Sequence, residues 1–337
     1  MLLVLLVLLE FIALSLSGAF NATAALVDHI QSDWATSSLY ILGCTKNADV
    51  THIPRLTTNI QLLLSTLNDP WKQGTVILYG DEKSRDRYLL ANQSAYIYLT
   101  ENFHHKARTM RIANCRNTLL EEVNKMVLFR KENHSAVFLI MIDLDAVNVK
   151  KYNMTVFNAV TNLHHEWASV SFNRPTYYDF WALRTERISF NIFNSVDPIK
   201  SIDVARNDIK SELIHSTSPL GFYRVISAFN GIALYRYQFT IGCKYDGRER
   251  ERVFLTQEEC EHVPFHKCMI AKNNATIVIY KDSLTINYIK WRDYTMQILN
   301  FALNYLLLRW NPVYDYSQDR IVTINNFLRS HSYICVL

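Results

Sequence analysis

Asp143 and Asp145 end a run of seven apolar residues, Ala136–Ile142, and stand one residue apart. Two carboxylates at i and i+2 on a strand end point to one side and can reach one divalent cation, directly or through water. Hard oxygen donors suit Mn²⁺ or Mg²⁺, which keep open positions for the phosphates of a substrate. An ordinary solvated strand end is the plain alternative. His262 and His266 lie four residues apart in "ECEHVPFH". A helix would bring them to one face, although Pro264 between them opposes helix. One histidine joining the two aspartates at a metal is chemically reasonable. Asp179 sits among Tyr177, Tyr178 and Trp181. Aromatic faces pack against the C–H faces of pyranose rings, and a carboxylate accepts hydroxyl hydrogen bonds or acts as general base. A core aromatic cluster with a capping aspartate reads equally well.

The elements that must carry these groups are legible as alternating strands and helices. Apolar runs at Ser38–Asn47, Gly74–Glu82, Ser94–Glu101 and Val137–Ile142 read as strands. Helical spacing appears at Arg55–Asp69, at Thr109–Arg130 and at Trp291–Trp310. Tyr223–Tyr237 reads as a strand pair or a strand broken at Gly231, and Ala275–Ile289 as a further strand region. Residues 186–220 read as polar and irregular. The alternation predicts an α/β fold with a mainly parallel central sheet and ligands at the carboxyl ends of its strands. That rule places Asp143 and Asp145 at the ligand edge, together with Cys44–Asn47 and Asp81–Glu82. In Thr109–Arg130, Ile112, Leu119, Val123 and Val127 form an apolar stripe that contains Arg116. A buried guanidinium needs a partner. It has either an internal ion pair, or, with Arg108 and Arg111, a bound anion such as a diphosphate.

The 337 residues are 49% hydrophobic and 20% charged, with eight Gly and seven Pro. This is a globular composition without repeats or low complexity. The formal charge of +4 is scattered, and no Lys/Arg run suits a phosphate backbone, so nucleic acid is not an expected partner. "MLLVLLVLLEFIALSLSGAF" reads as a cleaved signal peptide, a signal anchor or a buried helix. The first two send the chain into the secretory lumen, as a type II membrane protein of ER or Golgi or as secreted material. Five Asn-x-Ser/Thr sequons, at Asn21, Asn92, Asn133, Asn153 and Asn274, agree with that route. So do six cysteines, of which Cys243, Cys260 and Cys268 are close enough for a local disulfide. The spacing suits no zinc ribbon.

Five stretches in one order carry a resemblance: "RTMRIANCRNTLLE", "FLIMIDLDAVN", "YYDFWALR", "AFNGIALYR" and "CEHVPFH". Over roughly Leu39–Ile289 the chain resembles the fungal capsule-associated α-1,3-mannosyltransferase-like glycosyltransferases. The resemblance implies a GT-A (Rossmann-like) nucleotide-diphosphosugar transferase fold. It implies a D-x-D motif at Asp143 and Asp145 that holds Mn²⁺ or Mg²⁺ on the donor diphosphate. Arg108, Arg111, Arg116, Asn117 and Asn148 match its donor-side motifs. Cys44, Asn47 and Asp81 join the donor side by the ligand-edge rule. His262, then His266, are the candidates for further metal ligands. Asp179 is the catalytic candidate, and Tyr178 and Trp181 the acceptor platform. The expected partners are a nucleotide-sugar donor, mannose being the sugar the family names, and a glycan or glycoconjugate acceptor. The expected division is a leader and stem at 1–35, a transferase domain at 36–290 and a helical extension at 291–337. The chain departs from the family where Gly80 replaces an acidic residue in "YGDEKSRD". That departure motivates a second expectation, a catalytically silent glycan- or nucleotide-sugar-binding derivative.

Overall fold

The computed structural model describes residues 34–45, 49–90, 96–100, 107–174, 177, 179–188, 198–215, 218–248 and 259–285. The leader, the 291–337 extension, Asn47 and Tyr178 lie outside them. The elements in chain order are β1 (Ser38–Thr45), α1 (Ile53–Leu64), α2 (Pro70–Gln73), β2 (Gly74–Gly80), α3 (Glu82–Leu90), β3 (Tyr96–Thr100), α4 (Arg108–Arg130), β4 (Val137–Asp143), α5 (Met154–Asn162), β5 (Ser169–Asn173), α6 (Pro198–His215), β6 (Phe222–Val225), β7 (Ile232–Arg236), α7 (His262–Asn273) and β8 (Ile277–Ser283). Among the described residues no helix is long and apolar enough to cross a membrane.

The strands form one eight-stranded sheet in the order β3-β2-β1-β4-β7-β5-β8-β6. The pairs β1–β2, β2–β3, β1–β4 and β5–β8 are parallel. The pairs β4–β7, β5–β7 and β6–β8 are antiparallel. The fold is therefore α/β with a mainly parallel sheet flanked by helices, as the alternation predicts.

Apolar runs rather than alternation mark these strands because both faces are covered. Tyr40 and Leu42 of β1 point into one core cluster with Leu119, Val123 and Val127 of α4. Leu39 and Ile41 point into the other, with Leu56 and Ile60 of α1 and Phe157 and Val160 of α5. β4 divides the same way, Leu139 and Met141 against Phe138, Ile140 and Ile142. α4 ends where Lys131 adopts a left-handed conformation (φ 54°) and its N–H returns to Leu128.

The structure adds elements the sequence reading passed over. α6 lies inside the stretch read as irregular, and α3 begins where a strand was expected to end. β6 and β7 are two strands, but they do not pair with each other: β6 pairs with β8, and β7 inserts between β4 and β5.

Candidate functional site at the carboxyl end of β4

From β1 the chain crosses to β2 on one side, and later to β4 on the other. The gap between β1 and β4 is the point where strand order reverses, the place open α/β sheets bind ligands. Asp143 is the last residue of β4 and pairs in register with Cys44 of β1. Asp145 follows on the loop. Its Oδ1 accepts from Val147 N at 3.0 Å and caps the 3-10 turn Ala146–Asn148.

Buried polar groups hold this loop. Asn148 is fully buried, and its Nδ2 donates to the carbonyls of Asp143 and Gly231, each at 2.8 Å. Asn59 Nδ2 donates to the Asn148 carbonyl at 2.7 Å. Arg174, also buried, donates from Nη2 to Asn148 Oδ1, from Nη1 to Val147 O and from Nε to Asn230 O, all at 3.0 Å. Asn230 and Gly231 both have positive φ (55° and 89°), which turns the chain so that the Gly231 carbonyl also receives Asp143 N at 2.9 Å. The position of the two aspartates is thus set by a closed network around Asn148.

The electrostatics centre on Arg116. Its Nη2 donates to Asp143 Oδ1 at 3.0 Å, and its Nη1 meets Glu261 and His262 Nε2. The guanidinium lies 4.6 Å from the Phe229 ring centroid. Arg116 is thus the internal ion pair, one of the two readings its place on the apolar stripe allowed. One cation faces an excess of carboxylates. Burial pushes the Asp143 carboxyl up to about 7, Arg116 opposes the rise, and Asp145, Asp179 and Glu261 add to it. Asp143 keeps 20% of its side chain exposed, and solvent there moderates the rise. Burial likewise lifts Asp179 to about 6, against the hydrogen bond its Oδ1 accepts from Ala182 N at 3.2 Å.

His262 and His266 do sit on one helix face. Pro264 is the third residue of α7, in the first turn, where no N–H is needed. Their ring nitrogens are engaged elsewhere. His262 meets Arg116 and, through Nδ1, Tyr235 Oη at 3.4 Å. His266 meets Ser227 Oγ at 3.0 Å and Tyr235 Oη at 3.2 Å. Burial lowers both, with Arg116 assisting, and takes His266 down to about 3. Among the described residues no three His, Cys, Asp or Glu side chains converge as a metal-binding group. The set Asp143, Asp145, His262 and His266 is therefore not gathered there. The two aspartates alone fit a hard cation that takes its remaining ligands from water and phosphate: Asp143 is half-buried, and among the described residues its carboxylate receives only Arg116.

Several donor-side candidates have structural partners. Cys44 is disulfide-bonded to Cys115. Asn117 clamps the Tyr245 backbone, donating to its O at 2.9 Å and accepting from its N at 2.8 Å. Asp81 caps α3 by accepting from Ser84 N at 2.8 Å and Ser84 Oγ at 3.1 Å. Arg108 and Arg111 are half-buried in the first turn of α4, which starts from the edge where β3 ends, the edge that carries Asp143. Trp181 is half-buried against the core, while Tyr177 and Phe180 belong to the core itself, with ring centroids 5.5 Å apart. Gly80 is explained by contact: a Cβ there would lie 2.1 Å from Thr45 O. Sequence reasoning missed Glu261, Asn59 and Arg174. A buried Arg116 called for an acid, but nothing local pointed to one 145 residues away.

No protein-family model matches the chain, and no curated protein matches it. Solved structures do. S. aureus TarS 1-349 aligns with TM-score 0.37 and 11% identity over 78% of this chain, which spans 64% of that structure. The same protein in complex with UDP-GlcNAc gives TM-score 0.36 and 11% identity over 88% of this chain and 73% of that one. A mycobacterial protein gives TM-score 0.39 and 11% identity, covering 82% of this chain and 78% of its own.

Proposed function

We propose that the chain is a metal-dependent glycosyltransferase of the secretory lumen, moving a sugar, mannose in the family it resembles, from a nucleoside-diphosphate donor to a glycan hydroxyl. The observation that carries the reading is the placement of Asp143 and Asp145 at the strand-order reversal, where Asp145, Asp179 and Glu261 act on Asp143 against the single opposing charge of Arg116. Such a site favours a divalent cation, and Asp143 and Asp145 would hold it. A bound Mn²⁺ or Mg²⁺ neutralises charge on a departing diphosphate. Arg108 and Arg111, at the N-terminus of α4 on the same edge, favour an anion there. Asp179, with its raised carboxyl, is the candidate to take a proton from the acceptor hydroxyl, and Trp181 is the candidate surface for the sugar ring. The domain spans 36–290 in this reading, between a leader and a C-terminal extension.

The ion pair of Asp143 with Arg116 favours a second reading, a silent scaffold that binds the nucleotide sugar or a glycan without turnover. One experiment separates the two. The folded chain is incubated with a panel of nucleotide sugars and Mn²⁺, and nucleoside diphosphate release is followed. Release from one donor, abolished by chelator and by Asp145→Asn, supports the transferase. Binding of a nucleotide sugar with no release from any donor removes it in favour of the silent scaffold.

A further inference from the structure

Two sequons stand at the opposite edge of the sheet from this site. β4, β5 and β8 run in the same direction, because β7 is antiparallel to both β4 and β5 and β8 is parallel to β5. Asn133 precedes β4, and Asn274 precedes β8, so both lie at the amino edge, about one strand length (~20 Å) from Asp143. Both are exposed. Asn133 Oδ1 accepts from Ser135 N at 3.2 Å and Ser135 Oγ at 3.0 Å, a local turn that brings the two sequon side chains together. Asn274 ends α7 in a left-handed conformation (φ 51°).

Each sequon also has an exposed apolar neighbour that the fold itself does not explain. Phe129, four residues before Asn133, is 89% exposed at the end of α4, beside an exposed Leu128. Ile241 is exposed, and its carbonyl accepts from Nδ2 of Asn273, the residue before Asn274, at 3.0 Å. The turn Tyr237–Gly242 lies between the two, with the His134 and Tyr237 rings 5.2 Å apart. A large exposed aromatic is a liability unless something covers it, and pyranose C–H faces pack on aromatic rings.

We propose that Asn133 and Asn274 carry N-linked oligosaccharides and that these cover Phe129 and Ile241. In each transfer the Asn Nδ2 loses one proton to solvent and forms a bond to the anomeric carbon of a lipid-diphosphate oligosaccharide, whose C–O bond to the diphosphate breaks. The donor and its transferase belong to the secretory lumen, so this inference rests on the lumenal placement proposed above. The two glycans leave the carboxyl edge clear.

The full chain is expressed in a eukaryotic secretory host, and its peptides are mapped by mass before and after amidase deglycosylation, which leaves Asp at each occupied Asn. The expected result is occupancy at both positions, with Asn133→Gln and Asn274→Gln each losing one glycan equivalent. Deglycosylation of the folded protein should raise hydrophobic-dye binding, and Phe129→Ser should remove most of that rise. Unmodified Asn133 and Asn274 in a chain whose Cys44–Cys115 disulfide has formed would overturn the glycan assignment alone. Unmodified sequons together with a reduced Cys44 and Cys115 would overturn the lumenal placement beneath it. A rise in dye binding that Phe129→Ser leaves unchanged, or self-association through Leu128 and Phe129 in the glycosylated protein, would overturn the covering role.

Discussion

Replacing Cys44 and Cys115 together by Ala should cost the protein a large share of its stability. The disulfide joins the end of β1 to α4 across 71 residues, with Cα atoms 6.1 Å apart. In the chain-entropy account, closing a ring of that size removes about 15 cal/mol/K from the unfolded state, or ~4.4 kcal/mol at 25 °C. The second disulfide, Cys243–Cys268, closes only 25 residues, for ~3.5 kcal/mol by the same account. Folded domains have only about 5–15 kcal/mol in all, so either loss is severe and the first is the larger. Urea unfolding of the parent and of the two double-Ala variants, followed by circular dichroism and extrapolated to water, measures both. The reasoning fails if the Cys44/Cys115 variant loses under about 1 kcal/mol, or if the Cys243/Cys268 variant loses clearly more. The Cys44 pair also borders the site, since Cys44 faces Asp143 in register and Cys115 precedes Arg116. If the chain binds a nucleotide sugar as proposed, that affinity should therefore fall in this variant more than in the other.

Arg174→Met leaves the acceptors on Val147, Asn148 and Asn230 without their donor, and the melting curve should report a loss of about 3 kcal/mol. Gly80→Ala forces a Cβ onto the Thr45 carbonyl, and the same measurement should show a cost of about 2 kcal/mol. His266 stays neutral when folded, its value lowered to about 3, while the unfolded chain takes a proton below about 6.5. Stability therefore falls as pH falls through that window, by about 2 kcal/mol at pH 5 from this residue. Asp143 and Asp179, raised to about 7 and about 6, act in the opposite direction, so the comparison is with His266→Gln. Between pH 7.5 and pH 5 the unfolding free energy from urea titration should change in favour of the folded state by about 2 kcal/mol more in that variant than in the parent; an equal or less favourable change would contradict the burial argument.

The central strands were legible because β1, β2 and β4 are buried on both faces and carry long apolar runs. β5 was not, because its register residues Ser169 and Ser171 break the apolar pattern while being fully buried. α6 hid its stripe, since Ile202, Ala205, Ile209 and Leu213 face the core at wide spacing while the neighbouring Val204 is exposed and blurs the pattern. Pro264 argued against a helix that in fact starts two residues before it. At the site, Asp143, Asp145 and the burial of Arg116 could be read locally. The roles of Asn148, Arg174 and Glu261 could not, because each depends on a partner brought in by the fold from a distant segment.

The insertion of β7 between β4 and β5 has a consequence for synthesis. β4 can pair with β1 as soon as residue 143 has been made, but its other edge waits for Ile232–Arg236. β5 is made in between and cannot take its place until β7 arrives to pair with both. At synthesis rates of about 5–20 residues per second, the open edge of Phe138, Ile140 and Ile142 persists for on the order of 5–20 seconds. An uncovered apolar strand edge templates pairing with other chains. The nascent half-sheet is therefore the stage at which this protein most needs a chaperone.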